Sequence, residues 1–439
     1  VSRQPVLFLQ LNEINFDVVR RYVERHDDLP AFRQLLARYR SFETFAETEY
    51  THLEPWIQWV SAHTGRTYAD HGVFRLGDIT HGHDQLVQVF EALEERGLTV
   101  GAISPMNARN RLHRPAYFVP DPWTDTPSDS SAFSRRLTAM LRQTVNENSA
   151  GRVSLRSKLT LAEALLRSFD LRRTTAVLRT IMATRRAPWL KALVLDQVVH
   201  LVHRHLWHKH RPDVSFVFLN AGAHIQHHYF FNSEFSGVTS RNPTWYVPAE
   251  ADPLHDMLRV YDAILADYLA LAGERVRLIV ATGLSQVPYD RVKYYYRLRD
   301  HAGFLANAGI AFTRVLPRMT RDFEVECADH AGAQAAGAAL GAITLARNGE
   351  LLFREVEVRE RSVFATLTYP DEITQADTAR LGDRVIEGFG KAVDFVAIKN
   401  GMHCTRGYVF VSPNAPEVPI PTSPVHVASL FDLTLGAAG

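Results

Sequence analysis

Four short, unbroken apolar runs constrain this chain most: VLFLQL at 6–11, LTVGAIS at 98–104, VSFVFLN at 214–220 and RLIVAT at 277–282. A strand that is apolar throughout, rather than at alternate positions, is buried on both faces. That is the condition of a parallel strand covered by helices. Between the runs lie stretches of helical periodicity: 18–39, broken at 27–30 and carrying Leu29, Phe32, Leu35 and Leu36 on one face, then 86–96 and 256–271. This order predicts an α/β fold with a doubly wound, mostly parallel central sheet. Alternating runs within 351–369 read as two antiparallel strands at a sheet edge.

Residues 131–211 interrupt the pattern. They read as helix throughout and carry 16 Lys and Arg against 4 acids, ending in His200, His203, His205, His208 and His210. The expectation is one large α/β domain, 1–130 and 212–439, with 131–211 as an inserted basic helical cap that collects a small anionic substrate. Arg172-Arg173 and Arg185-Arg186 are its candidate capture residues. The net charge of +1 argues for no particular partner, no nucleic acid is expected, and two cysteines, Cys327 and Cys404, are too few for a disulfide framework. No apolar run approaches twenty residues and no basic segment leads into one at the start. The expectation is a cytoplasmic protein with no membrane partner.

Chemistry-bearing residues gather where strands end. Asn12 and Glu13 follow the first run, at the edge where open α/β sheets place their sites. THLEPWIQWVSAHTGRTYADHG at 51–72 is a short buried helix with Pro55 in its first turn, a Thr-Gly stop, and Thr51, His52 and Glu54 crowding its N-terminus. Such an end suits an anion or the nucleophile that attacks one. The third run opens into AGAHIQHHY, where His224 and His228 are four apart and share a helix face as two metal ligands do, with His227 as an alternative. Ser285 follows the fourth run, and His403 stands on a Gly-flanked turn before a late strand.

In this order and spacing, HTGRTYADHGV and the late MHCTRGYVFV with its terminal helix resemble the alkaline phosphatase superfamily, in particular its phosphodiesterase/nucleotide pyrophosphatase and sulfatase-like members. The resemblance runs from about residue 6 to residue 435, outside the cap. It implies a metal site at His224, His228 and His403, a mononuclear His₃ centre taking zinc, with iron or manganese as alternatives. The family's second metal site falls on Asn12, Leu284 and Ser285, which are poor ligands, so that metal is absent or is held differently by Glu13 or Glu54. The family's nucleophile register falls on Pro55. Thr51 is then the nucleophile, with His52 as its base, or Glu54 takes the role, and Asn12 donates a hydrogen bond in place of the lost cation. Glu13, His52, His227 and Ser285 are left to contact substrate. The resemblance implies hydrolysis or transfer of a phosphorus- or sulfur-centred ester. A non-hydrolytic metalloenzyme using iron in a biosynthetic pathway, or a binding protein on the same fold, are the alternatives.

Overall fold

A computed structural model describes residues 3–146, 154–273, 275–318 and 321–439. Two compact units divide the chain: Val1–Val238, Thr244–Pro288 and Gly401–Gly439 form the first, Thr239–Pro243 and Tyr289–Asn400 the second. The first unit begins β1 (Val6–Leu11), α1 (Phe16–Arg25), α2 (Pro30–Arg38), β2 (Arg40–Phe45), α3 (Pro55–Thr64), α4 (Tyr68–His71), α5 (Val89–Glu95), β3 (Val100–Ile103) and β4 (Tyr117–Val119). Four helices follow, α6 (Ala132–Asn146), α7 (Leu155–Arg167), α8 (Leu171–Ala183) and α9 (Leu190–His210). Then come β5 (Val214–Leu219), α10 (Ala221–Tyr229), α11 (Pro253–Ala272) and β6 (Arg277–Ala281).

β7 (Ser285–Leu298) carries the chain into the second unit. There it forms α12 (His301–Ala308), β8 (Arg314–Pro317), β9 (Asp322–Glu326), α13 (His330–Ala342), β10 (Thr344–Leu345), β11 (Glu355–Arg359), β12 (Ser362–Thr366), β13 (Ala379–Leu381) and β14 (Arg384–Ile386). β15 (Val393–Cys404) returns to the first unit for β16 (Arg406–Val411), β17 (Val425–His426) and α14 (Leu430–Ala438).

The main sheet has the order β17-β2-β16-β6-β1-β5-β3-β4. Its pairs are parallel except where β16 runs antiparallel to β2 and β6. The α/β class and the mostly parallel sheet are therefore as expected. The four apolar runs are β1, β3, β5 and β6, and β1 lies between β5 and β6 with Leu11 opposite Leu219 and Gln10 opposite Ala281. Three strands thus end at one edge of the sheet. Both faces are apolar because both are covered. Leu7, Leu9 and Leu11 pack into a core shared with α1, α2, α9, α10 and α11, while Val6 and Phe8 pack into one shared with α3, α5 and α14.

Two features depart from expectation. The stretch 131–211 is helical, but α9 is a covering layer of the sheet: Leu193, Val198, Leu201, Val202, Leu206 and Trp207 enter the core. Its histidines divide accordingly. His203 is buried between Ser215 Oγ (2.8 Å) and the Tyr268 hydroxyl (2.9 Å), and His208 and His210 are exposed. Residues 289–400, assigned from sequence to the α/β domain, have a core of their own with Phe304, Phe323, Val325, Leu340 and Val363. The antiparallel pair expected in 351–369 is β11–β12, in a sheet of order β11-β12-β9-β8 within this second unit. Among the described residues no helix is long and apolar enough to cross a membrane.

Arg173, a candidate for substrate capture, is used structurally. Its guanidinium binds Asp267 of α11, and His200 Nε2 of α9 lies 3.0 Å from the same carboxylate. Burial raises the Asp267 pKa, but the hydrogen bonds from His200 and Arg173 outweigh it and hold the carboxyl well below its usual range. Burial lowers the His200 pKa, and Arg173 brings its guanidinium to the same carboxylate. A carboxylate with a depressed folded pKa contributes its stability in full above its unfolded value of about 3.9 and loses it as pH falls further. Asp267→Asn should cost about 3 kcal/mol at neutral pH, read as a lowered urea midpoint. The difference from wild type should shrink below about pH 4.

Candidate metal centre

Beyond β1 the chain turns sharply. Asn12 N–H donates to Leu219 O (3.1 Å) and Glu13 N–H to Thr282 O (3.0 Å), which ties the turn to the ends of β5 and β6. Glu13 adopts φ +62°, the left-handed region that few non-glycine residues occupy and that is retained where the surroundings enforce it. Its carbonyl accepts from Gln226 Nε2 (2.8 Å). Its carboxylate is buried and met from four directions. Asn12 Nδ2 donates to Oε1 at 2.9 Å and Gln286 Nε2 to Oε2 at 2.5 Å. His227 Nε2 and His403 Nε2 lie 3.1 and 3.2 Å from Oε2. Burial pushes the Glu13 pKa upward, but the nearby His403 and His227 more than reverse it, and the carboxyl is held well below its usual range.

Glu13, His227 and His403 each present a ligand atom, all within 4.8 Å of one another. The set expected from sequence, His224, His228 and His403, is not among the groups whose ligand atoms converge in this way. α10 is rolled so that Gly222 packs against Ile14 and Tyr261. That roll turns Ala223, Gln226 and His227 toward the strand ends, where Ala223 O accepts from Gln286 and Gln226 bonds the Glu13 turn. His224 and His228 share the other face and pack ring to ring, centroids 4.7 Å apart. His224 instead lines a cavity of about 390 Å³ with Trp123, Leu195, Val199, Phe218 and Asn220. It meets solvent within that recess, yet the protein around it pushes its pKa down to about 4. His403 also differs from expectation, since it lies at the end of a strand, β15, rather than on a turn.

The opening of α3 resolves by position. Glu54 is the residue before Pro55 and makes no capping bond with its side chain; its Oε2 lies 3.6 Å from His403 Nδ1, within ion-pair reach. Thr51 is exposed in a 3₁₀ turn at Tyr50–His52. His52 places its ring against Tyr68, centroids 4.2 Å apart. Asn12 is fully engaged: beyond its bond to Glu13, its amide donates to Asn220 Oδ1 (2.8 Å) and its carbonyl accepts from Trp59 Nε1 (2.8 Å). Leu284 is buried in an apolar cluster with Ala46 and Leu53, and Ser285 is buried at the start of β7. Gly283, at φ +72°, lies over the Trp59 indole, where an added Cβ would stand 3.0 Å from the ring.

The HTGRTYADHG segment is structural. His63 bonds Gln10 (2.9 Å), and burial pushes its pKa down to about 3. His71 bonds Ser61 Oγ (3.1 Å) and accepts from Val73 N–H (3.0 Å), and Gly65 and Gly72 close the two helices in left-handed conformation. A second cluster, His26, Asp28 and His255, is an ion-pair group, since Arg259 Nε sits 2.6 Å from Asp28 Oδ2 and His26 bonds Glu234. Sequence reasoning missed Gln226 and Gln286. Their signal was weak but present: each is a buried amide beside a strand end, where an unpaired polar group is costly.

The chain is similar in structure to phosphonoacetate hydrolase from Sinorhizobium meliloti 1021 in complex with phosphonoacetate, at 14% identity and TM-score 0.43 over 100% of this chain and 96% of that one. It is similar to murine ectonucleotide pyrophosphatase/phosphodiesterase 5 at 11% identity and TM-score 0.40, covering 98% and 94%. Alkaline phosphatase from the Antarctic bacterium TAB5 is similar at 9% identity and TM-score 0.41, covering 100% and 99%. No family model and no curated protein matches the chain.

The geometry ranks the histidines. His227→Ala and His403→Ala should each abolish zinc retained after dialysis, while His224→Ala and His228→Ala should leave it unchanged. Gln286→Leu, which removes the amide holding Glu13, should weaken zinc binding about 10–100-fold. Zinc lost from His228→Ala and kept in His227→Ala would reverse the assignment.

Proposed function

We propose that this chain is a mononuclear metal-dependent hydrolase or transferase acting on a phosphorus- or sulfur-centred ester, with Glu13, His227 and His403 as its metal ligands. The convergence of these three donors at the C-terminal edge of the sheet carries the reading. Two ligands bonded to one zinc at ~2.0–2.1 Å and a tetrahedral angle stand about 3.3 Å apart. The Glu13 oxygen lies 3.1 and 3.2 Å from the two imidazole nitrogens, so the donor set fits one ion after small adjustment. A divalent ion held there would polarise a non-bridging ester oxygen or lower the pKa of a water to about 7.

The chain's own groups supply the rest. Asn12 and Gln286 fix the Glu13 carboxylate from both sides, and Gln226 fixes its backbone. Glu54 orients His403 from its Nδ1 side and is the better placed general base. Thr51, one turn away in sequence, is the weaker candidate for nucleophile. With two carboxylates and one divalent ion the centre holds no surplus positive charge. A dianionic monoester therefore gains least there, and a monoanionic diester or sulfate is the better substrate. The cavity lined by His224 suits the part of the substrate that is not transferred.

Glu54→Gln should reduce turnover of bis-p-nitrophenyl phosphate about 10²–10⁴-fold and Thr51→Ala much less, both with zinc content intact. p-Nitrophenyl phosphate should be turned over more slowly than the diester or the aryl sulfate. Faster monoester turnover, or a greater loss from Thr51→Ala, overturns this scheme. The donor set also favours a second reading. Two histidines and one carboxylate with open positions are the ligands of non-haem iron oxygenases, so the same centre suits non-hydrolytic iron chemistry. Purification with iron rather than zinc, and oxygen uptake in place of ester cleavage, would select it.

A further inference from the structure

Helices α7 and α8 each carry an apolar stripe on their outer face. The residues α7 turns into the protein are Ser157, Thr160 and Ala164, and those of α8 are Thr174, Val177 and Thr180. Leu161 and Leu165 of α7 and Val177 of α8 pack against the core, but a second set of large apolar side chains faces solvent: Leu155 (73% exposed), Leu159 and Leu166 (75%) on α7, Leu171 (70%), Leu178 and Met182 on α8, with Phe169 between the helices. Leu155, Leu159 and Leu166 recur at i, i+4 and i+11, and Leu171, Leu178 and Met182 at i, i+7 and i+11. Each set is a single stripe along its helix. Of the 16 large apolar side chains exposed among the described residues, 8 lie between Leu155 and Met182. Concentrated exposure of this kind marks an interaction surface.

The charge around the stripes is of one sign. Arg156, Lys158, Arg179, Arg185 and Arg186 are exposed, and none forms an ion pair among the described residues. The two acids of α7 and its junction with α8 are already used: Glu163 pairs with Arg136 and Arg167, and Asp170 with Arg173. A second copy of this chain would set these cations against one another. An anionic bilayer surface offers an apolar phase and complementary phosphate together.

We propose that α7 and α8 are the face by which this protein lies on an anionic membrane, the apolar stripes entering the acyl boundary and the surrounding Arg and Lys meeting lipid headgroups. A surface-lying helix need not be long or wholly apolar. The proposal is independent of the metal centre.

Co-sedimentation with vesicles tests it. Wild-type protein should bind phosphatidylcholine vesicles carrying about one-third phosphatidylserine, and bind pure phosphatidylcholine about tenfold or more weakly. Salt at about 1 M should release much of the bound protein. Leu166→Ser with Leu178→Ser, and separately Arg156→Glu with Arg179→Glu, should each weaken binding by about tenfold or more with the thermal midpoint unchanged, as exposed positions allow. Two results overturn the proposal: no binding of wild type to the anionic vesicles, or equal binding to both vesicle types. Self-association in solution that Leu166→Ser abolishes, without vesicle binding, would assign the face to a second copy; wild-type data alone decide the matter should a variant fail to fold.

Discussion

The buried carboxylate of Glu13 is the constraint on which the candidate site depends. A carboxylate taken out of water needs nearly all of its lone pairs satisfied, and the cost of leaving one unpaired is several times the net gain from an ordinary hydrogen bond. Here the partners come from distant parts of the chain: Asn12 beside it, Gln286 at the start of β7, His227 on α10 and His403 on β15. One charged group thus joins α10, the start of β7 and the end of β15. Its left-handed backbone is the local strain that this arrangement supports.

The central sheet was legible because its physics is local. A strand buried on both faces has to be apolar at every position, and β1, β3, β5 and β6 are close to that. β2 escaped notice because its RSFETF alternates and is half-exposed. The second unit escaped because no linker announces it. The chain crosses into it within the strand β7, and its elements are short.

The site was half legible for a different reason. His224 and His228 share a helix face, but so do Ala223 and His227, and spacing cannot say which face looks inward. That choice rests on Gly222, whose missing side chain lets α10 approach Ile14 and Tyr261. The same ambiguity governs α7 and α8. Their leucines are periodic in sequence as a core-facing stripe would be, and only the packing of Ser157, Thr160, Thr174 and Thr180 beneath them reveals that the stripe faces out.

The route of the chain through β7 and β15 has a kinetic consequence. Gln286 stands just before the chain leaves the first unit, and His403 just after it returns, so two of the groups that meet Glu13 are separated by the whole of Tyr289–Asn400. Closing so long a loop in an unstructured chain carries an entropic cost that grows only logarithmically with length, but it must be met before the contacts reward it. Once the inserted unit has folded around its own core, its ends are held by structure, and the loop behaves as a short staple. A folded second unit would therefore lower the entropic cost of bringing His403 to Glu13. Nascent protein lacking the segment after 400 would carry a buried acid still short of one of its partners.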